Sequence, residues 1–329
     1  MADSRSEICL SVKNLKKYFV VDTDIFGNAT KVLRAVDDIS FDIKQGTTMG
    51  LVGESGCGKT TVGRSILRLH DLTEGVVTFE GIDLSKLSNH QMQKLRPQLQ
   101  IIFQDPYASL NPRMPIGAII SEGVKAHKVV PKGSLKEYIL RVMQDCGIAP
   151  AYYERYPHEF SGGQRQRICI ARAIAMQPHF IVCDEPVSAL DVSIQAQIIN
   201  LLKDLQDKYD YTYLFISHDL SVVEHISDTV GVMYLGSLVE YGSKKELFRN
   251  PQHPYTKALF RAVPILDPTK KHKREIIQGE LPSPVNPPKG CKFCTRCTEC
   301  DHRCRVEAPP LVEFTKGHLV ACHKVKRVL

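Results

Sequence analysis

Apolar residues in this 329-residue chain come in short runs, set off by glycine turns and by longer stretches with helical spacing. Residues 8–14 alternate apolar and polar as a half-buried strand does, and residues 39–43 and 76–79 read as two further strands. Residues 21–31 read as a hairpin loop around Phe26-Gly27-Asn28. Between the second and third strands, residues 47–52 form a short apolar strand, then a glycine-rich stretch, then a helix over 61–69. Val62, Ile66 and Leu69 share one face of that helix. A strand from residue 99 runs out at Gln104, and residues 116–146 are helical by pattern, with a loop around Pro131-Lys132-Gly133. A long helix opens at Ser161 and reaches about Met176. A buried strand over 180–183, a helix over 194–208 and a strand over 213–217 follow.

Hydrophobic content of 43% and charged content of 24% are ordinary for a soluble globular protein, and the length allows one large domain or two smaller ones. There is no run of eighteen apolar residues and the first residues are polar, so neither a spanning segment nor a signal peptide is expected, and the chain is expected in the cytoplasm. The formal charge of +7 is uneven. Residues 251–329 hold fifteen Lys and Arg against seven Asp and Glu, with ten of the 19 prolines and six of the 11 cysteines. That shift predicts a domain boundary near residue 250. A basic tail suits nucleic acid, anionic lipid or a negatively charged cofactor.

The glycine-rich stretch is Gly53-Glu54-Ser55-Gly56-Cys57-Gly58-Lys59-Thr60, followed by Thr61, and it fits the phosphate-loop pattern at every fixed position. Its glycines let backbone N–H groups converge on phosphate oxygens, Lys59 reaches the outer phosphates, and Thr60 can ligate Mg2+. A nucleoside triphosphate is the expected ligand. Cys57, inside the loop, predicts inhibition by thiol alkylation. Tyr18 and Phe19 could each stack on an adenine or fill a small sheet core. Gln104, at a strand end, can ligate Mg2+ and orient a water. Ser161-Gly162-Gly163-Gln164 opens a second helix N-terminus, a second anion site that makes sense for a nucleotide held by another subunit. Asp184 can hold Mg2+ through water, Glu185 can polarise the attacking water, and His218 can hydrogen-bond a γ-phosphate.

In this order the pieces resemble the ATP-binding-cassette ATPases over about residues 8–245. Walker A is Gly53 to Thr60, the Q-loop glutamine is Gln104, the signature is Ser161 to Gln164, Walker B ends in Asp184-Glu185, the D-loop is Ser188 to Asp191, and the switch histidine is His218. By the family's spacing Phe19 would stack adenine, with Tyr18 the fallback. GESGCGKT, HEFSGGQRQR, DEPVSALDVSIQAQ, His253-Pro254-Tyr255, Gly290-Cys291, Arg296-Cys297 and the run Gly317 to Cys322 narrow the likeness to oligopeptide/dipeptide importer ATPases across the whole chain. Cys183 and Phe160 depart mildly from the usual pattern.

The resemblance implies an α/β P-loop fold: a RecA-like core with an antiparallel β subdomain, an α-helical subdomain at about 105–175, and a small Cys-rich C-terminal domain over 251–329 after an ATPase domain over 1–250. It implies a peripheral protein on the cytoplasmic face of the inner membrane, working with a second homologous ATPase subunit, two permeases and an extracytoplasmic substrate-binding protein, and not with nucleic acid. Two ATP molecules would be sandwiched between cassettes, with Ser161 and Gly163 facing the partner's nucleotide and Gln104 signalling to the permeases. Peptide is the expected cargo, and relatives that import nickel or a sugar stand as the alternative. A soluble ABC ATPase acting on nucleic acid is the other class, but the chain has one cassette and no sustained heptads between Lys59 and Ser161.

Cys291, Cys294, Cys297, Cys300 and Cys304 crowd together, with Cys322 beyond. In a reducing compartment, thiols this dense read as a metal site rather than as disulfides. Cys294, Cys297, Cys300 and Cys304 match a ferredoxin spacing, whereas the family resemblance selects Cys291, Cys297, Cys304 and Cys322 for a [4Fe–4S] cluster and leaves Cys294 and Cys300 as alternates. Zn2+ on four thiolates is the rival.

Overall fold

The computed structural model describes residues 7–24, 29–262 and 279–325. In chain order, β1 (Ile8–Thr23), β2 (Ala29–Lys44) and β3 (Thr48–Val52) precede α1 (Lys59–Ile66), β4 (Glu74–Phe79) and β5 (Ile82–Asp83). Next come α2 (Asn89–Leu95), β6 (Leu99–Ile102), α3 (Pro106–Ser109), α4 (Ile116–His127), α5 (Leu135–Asp145) and α6 (Gly162–Ile174). Then β7 (Phe180–Asp184), α7 (Val192–Tyr209), β8 (Thr212–Ser217), α8 (Leu220–Ile226), β9 (Thr229–Tyr234) and β10 (Ser237–Ser243) follow. The last elements are α9 (Lys244–Arg249), α10 (Pro254–Arg261), α11 (His302–Val306), β11 (Val312–Thr315) and β12 (His318–Val320).

The chain divides into two compact units. The first comprises Met1–Ser11, Asp42–Thr48 and Thr78–Ile216, and the second Val12–Phe41, Met49–Val77 and Ser217–Leu329. In the first unit, β6, β7 and β8 lie parallel, with Leu99 opposite Phe180 and Cys183 opposite Phe215. Every residue of β7 and β8 is buried. That is why both read as continuous apolar runs rather than as alternation, since a parallel strand covered on both faces has no wet side. The same unit holds α4, α5 and α6, whose buried faces carry Ile116, Ile120 and Val124, Ile139 and Met143, and Ile168 and Ala171. Removing one of the larger of these side chains, isoleucine, valine or methionine, from water is worth roughly 1.5–3 kcal/mol, so each helix is held mainly by this stripe.

In the second unit, β3 lies parallel to β9, with Met49 opposite Thr229 and Val52 opposite Val232. β9 turns through Leu235 and Gly236, both at positive φ, into antiparallel β10. β12 then pairs with β10, with Glu240 opposite Val320, and β11 closes the edge against β12. The cysteine-rich tail therefore does not stand off as a body of its own within this unit, because its last strands extend the sheet that carries the phosphate loop. β1 neighbours β2 and β4 in a second sheet. The turn expected at Phe26-Gly27-Asn28 lies outside the described residues.

Two local expectations change. α1 ends at Ile66 because Arg68 takes a left-handed φ of 49°, so Leu69 is 46% exposed rather than on the buried face. β6 ends at Ile102, leaving Gln104 in a loop beyond the strand.

Candidate nucleotide site

In the second unit, β3 delivers the chain into a loop whose shape depends on two glycines. Gly53 has φ 155°, and a Cβ there would stand 2.2 Å from the Met233 carbonyl oxygen. Gly58, at φ 106°, starts α1, and a Cβ on it would meet the Ala35 carbonyl oxygen at 2.0 Å. Backbone so close admits no side chain. The buried Lys59 ammonium donates to the carbonyls of Gly53 (2.8 Å) and Glu54 (3.0 Å). Ser55 and Gly56 form the exposed crest, and Thr60 and Thr61 are half-buried on the first turn of α1. Cys57 points the other way. It is 1% exposed, its Sγ is 3.8 Å from the Lys59 ammonium, and burial pushes its thiol pKa up, against the pull of Lys59. The alkylation expected from its place in the loop does not fit a buried, protonated thiol.

Also in this unit, the half-exposed Phe19 ring meets His70 edge-on at 5.5 Å, with the Lys17 ammonium 4.8 Å away. Tyr18 is committed elsewhere. Its hydroxyl donates to Asp37, its backbone N–H to Thr73 Oγ1 (2.9 Å), and Arg34 lies 5.7 Å over its ring. Phe19 makes no such hydrogen bonds through its side chain, although the Lys17 ammonium lies over one face of its ring. His218 is exposed, just ahead of Asp219, whose side chain caps α8.

In the first unit, the buried Asp184 ends β7, and Glu185 follows in the left-handed region at φ 49°. Its N–H donates to the Ile216 carbonyl at 3.0 Å. A glutamate held there is strained unless its surroundings fix it, and such strain concentrates at functional positions. Gln104 Nε2 donates to Glu185 Oε2 (3.2 Å) and to Ser188 Oγ (3.4 Å), and Ser188 Oγ donates to the Glu185 carbonyl (3.1 Å). Gln104, Glu185 and Ser188 thus form one cluster, and the serine's part in it had no signal in the sequence beyond its place in the D-loop. Ser161 caps α6 in a reciprocal box. Its Oγ accepts from the Gln164 N–H (3.4 Å) while Gln164 Oε1 accepts from the Ser161 N–H (3.0 Å). Gly162 and Gly163 occupy the first turn. Asp191 caps α7 by accepting from the Ile194 N–H (3.0 Å). Hydrogen bonds from that N–H and from Ser193 hold its carboxyl below the usual range.

Residues 36–188 match the ABC transporter family, and residues 239–304 match the family described as the C-terminal region of oligopeptide/dipeptide transporters. The oligopeptide transport ATP-binding protein AppF of Bacillus subtilis is 50% identical over 98% of this chain and 99% of its own length. The chain belongs to the oligopeptide/dipeptide ABC transporter ATP-binding proteins. The dipeptide transport ATP-binding protein DppF of Haemophilus influenzae is 47% identical over 96% of each chain. Among solved structures, CbiO1 of Clostridium perfringens superposes with a TM-score of 0.65 at 25% identity, over 74% of this chain and 92% of its own. The cassette MJ0796, at 24% identity and TM-score 0.64, shares the fold over 71% of this chain and 98% of its own.

The matched C-terminal region carries Cys291, Cys294, Cys297, Cys300 and Cys304, and Cys322 lies beyond it. The Cys291 N–H donates to the Cys304 carbonyl (2.8 Å), and Asp301 caps α11 by accepting from the Cys304 N–H (3.0 Å). Burial, reinforced by neighbouring thiols, raises Cys291 to about 12 and Cys297 to about 11 and raises Cys294 and Cys304, and burial with the Glu299 charge raises Cys322. The donor chemistry suits a thiolate metal site, but the spacing does not. Among the described residues, no three His, Cys, Asp or Glu side chains gather closely enough to hold a metal ion. Neither the [4Fe–4S] cluster nor the zinc alternative is met by this geometry. No described helix is long and apolar enough to cross a membrane.

Proposed function

We propose that this chain is the ATP-hydrolysing subunit of a peptide importer. The reading rests on the phosphate loop with Lys59 buried against it, in a chain that matches peptide-transport ATP-binding proteins along almost its whole length. Mg2+ bound with the nucleotide supplies charge neutralisation at the transferring phosphoryl group. Thr60, Gln104 and Asp184 are the residues proposed to hold it. Backbone N–H groups of Gly53, Ser55, Gly56, Cys57, Gly58 and Thr61 bind phosphate oxygens, Lys59 neutralises them, and Phe19 stacks the base. Glu185 takes the proton of the attacking water, Gln104 steadies the Glu185 carboxylate, and His218 hydrogen-bonds the outermost phosphate. Ser161 to Gln164 and Asp191 serve a nucleotide shared with a second cassette.

The proposed setting is a peripheral subunit on the cytoplasmic face of the membrane. There it is proposed to work beside a homologous ATPase, two permeases and a substrate-binding protein, with the nucleotide-binding part in residues 1–250 and the tail in 251–329. A [4Fe–4S] cluster or a zinc ion would have to draw four of the tail thiols together, Cys291, Cys297, Cys304 and Cys322 with Cys294 and Cys300 as alternates. Iron, sulfide and zinc analysis of anaerobically purified protein tests that, and metal-free protein rejects it.

Glu185→Gln decides the chemical assignment. It lowers ATP turnover by about a hundredfold or more, as expected for loss of a general base, while ATP binding by equilibrium titration persists. Unchanged turnover would refute Glu185 as the base.

A further inference from the structure

The phosphate loop is gripped from behind by the cysteine-bearing segment. Arg296, between Cys294 and Cys297, donates from Nη1 to Glu54 Oε2 at 2.8 Å, and its own side chain is only 8% exposed. Glu54 is the second residue of the loop, one of the positions that the phosphate-loop pattern leaves open. Burial works against the Arg296 charge, but hydrogen bonds to Glu54 and Tyr234 outweigh it and raise its pKa. The backbone of the same Glu54 is held too, because its N–H donates to the Tyr255 hydroxyl at 2.9 Å.

Tyr255 is fully buried and packs at a tilt against Tyr234 (4.7 Å between centroids) and Phe293 (5.4 Å), and Phe293 meets Tyr234 edge-on. Beside them, Lys292 donates to Asp37 Oδ2, Ser237 Oγ and the Leu235 carbonyl, fixing the β9–β10 turn. That turn reaches the loop as well, through the Gly236 N–H to the Cys57 carbonyl (3.0 Å). Residues 292–296 therefore hold the loop through a charged pair, and Phe293 backs the tyrosine that holds its backbone.

We propose that Arg296 is a positioning residue for ATP, so that the cysteine-bearing segment sets nucleotide affinity through Glu54. Paired, the Glu54 carboxylate is neutralised and its loop is fixed. Unpaired, it is a free negative charge beside the incoming triphosphate. The inference rests on the nucleotide reading of this loop.

The test is steady-state ATPase kinetics and Mg·ATP titration on the full-length chain and on Arg296→Met, Glu54→Gln and the double variant. Arg296→Met raises KM and Kd for ATP about tenfold with kcat within about twofold, the scale of one lost charge-assisted hydrogen bond. Adding Glu54→Gln removes the stranded carboxylate and recovers most of the affinity, a rescue that a merely structural arginine would not give. Unchanged KM in Arg296→Met, or no recovery in the double variant, overturns the proposal. Should Arg296→Met fail to fold, Arg296→Gln carries the test, since it keeps a polar side chain but removes the charge that pairs with Glu54. An unchanged Kd there overturns the proposal, and a rise supports it. A native chain that binds no ATP would overturn the nucleotide reading itself, whereas normal binding by both chain and variants overturns only this inference.

Discussion

Cys57 carries opposite expectations depending on whether its place in the sequence or its surroundings are considered. A cysteine between two loop glycines suggests an exposed, reactive thiol, but the structure turns it beneath Lys59 and raises its pKa by burial. Thiolate, not thiol, reacts with maleimides, so both access and ionisation work against labelling. Brief N-ethylmaleimide treatment followed by peptide mass spectrometry is expected to mark the half-exposed Cys297 and Cys322 before Cys57. Early labelling of Cys57 would mean that the loop opens readily. Gln104 teaches a related lesson. A magnesium ligand is a fair reading of its residue type and position, yet only the folded chain shows its amide nitrogen on the Glu185 carboxylate.

At the scale of elements, the best-read pieces are those whose local chemistry decides them. The phosphate loop, the capped start of α6 and the apolar strands β7 and β8 depend on nearby residues and were legible. The start of α10 was only half legible. His253-Pro254-Tyr255 carries part of the family likeness, but its physical sense lies in a buried network. His253 Nδ1 accepts from the Tyr255 N–H (3.1 Å), and Pro254 takes the first helical position. The fully buried Glu240 accepts from the N–H groups of Gln252 (2.7 Å) and His253 (2.9 Å) and pairs with His318 (2.8 Å).

Burial lowers His253 from the ordinary 6.5 to about 4, with Glu240 opposing and Lys257 assisting. The folded chain thus keeps this imidazole neutral while the unfolded chain protonates it below 6.5. Its contribution to stability is complete above that value and is lost as pH falls toward about 4. Between about pH 7 and about pH 5, the Tm of the natural protein is expected to fall more steeply than that of His253→Asn, which still caps a helix but does not titrate. Parallel slopes would show that His253 does not contribute.

Across the whole molecule, composition drew attention to a break near residue 250 that the second unit bridges. β12 pairs with β10, His318 and the 252–253 backbone satisfy Glu240, and Arg296 reaches Glu54. None of these links has a local signature, because each joins residues far apart in sequence. That is why the fold class was legible and this part of its wiring was not. A chain cut after residue 250 is therefore expected to lose cooperative folding rather than to leave a trimmed, working ATPase. Stripping a buried carboxylate of its partners costs about 3–5 kcal/mol, a large share of typical domain stability. Calorimetry and ATP titration on the shortened chain check this, and a native-like Tm with intact affinity would show the two parts to be separable.

The anchoring of the phosphate loop also has a consequence in time. Glu54 meets Tyr255 and Arg296 across 201 and 242 residues of chain. At roughly 5–20 residues per second, the ribosome makes the loop on the order of tens of seconds before it makes the arginine that holds it. During that interval the nascent protein carries the phosphate-loop sequence without its anchor. Full affinity for ATP then arrives late, only after both Tyr255 and Arg296 have been made, so a half-made subunit captures nucleotide less tightly than a finished one.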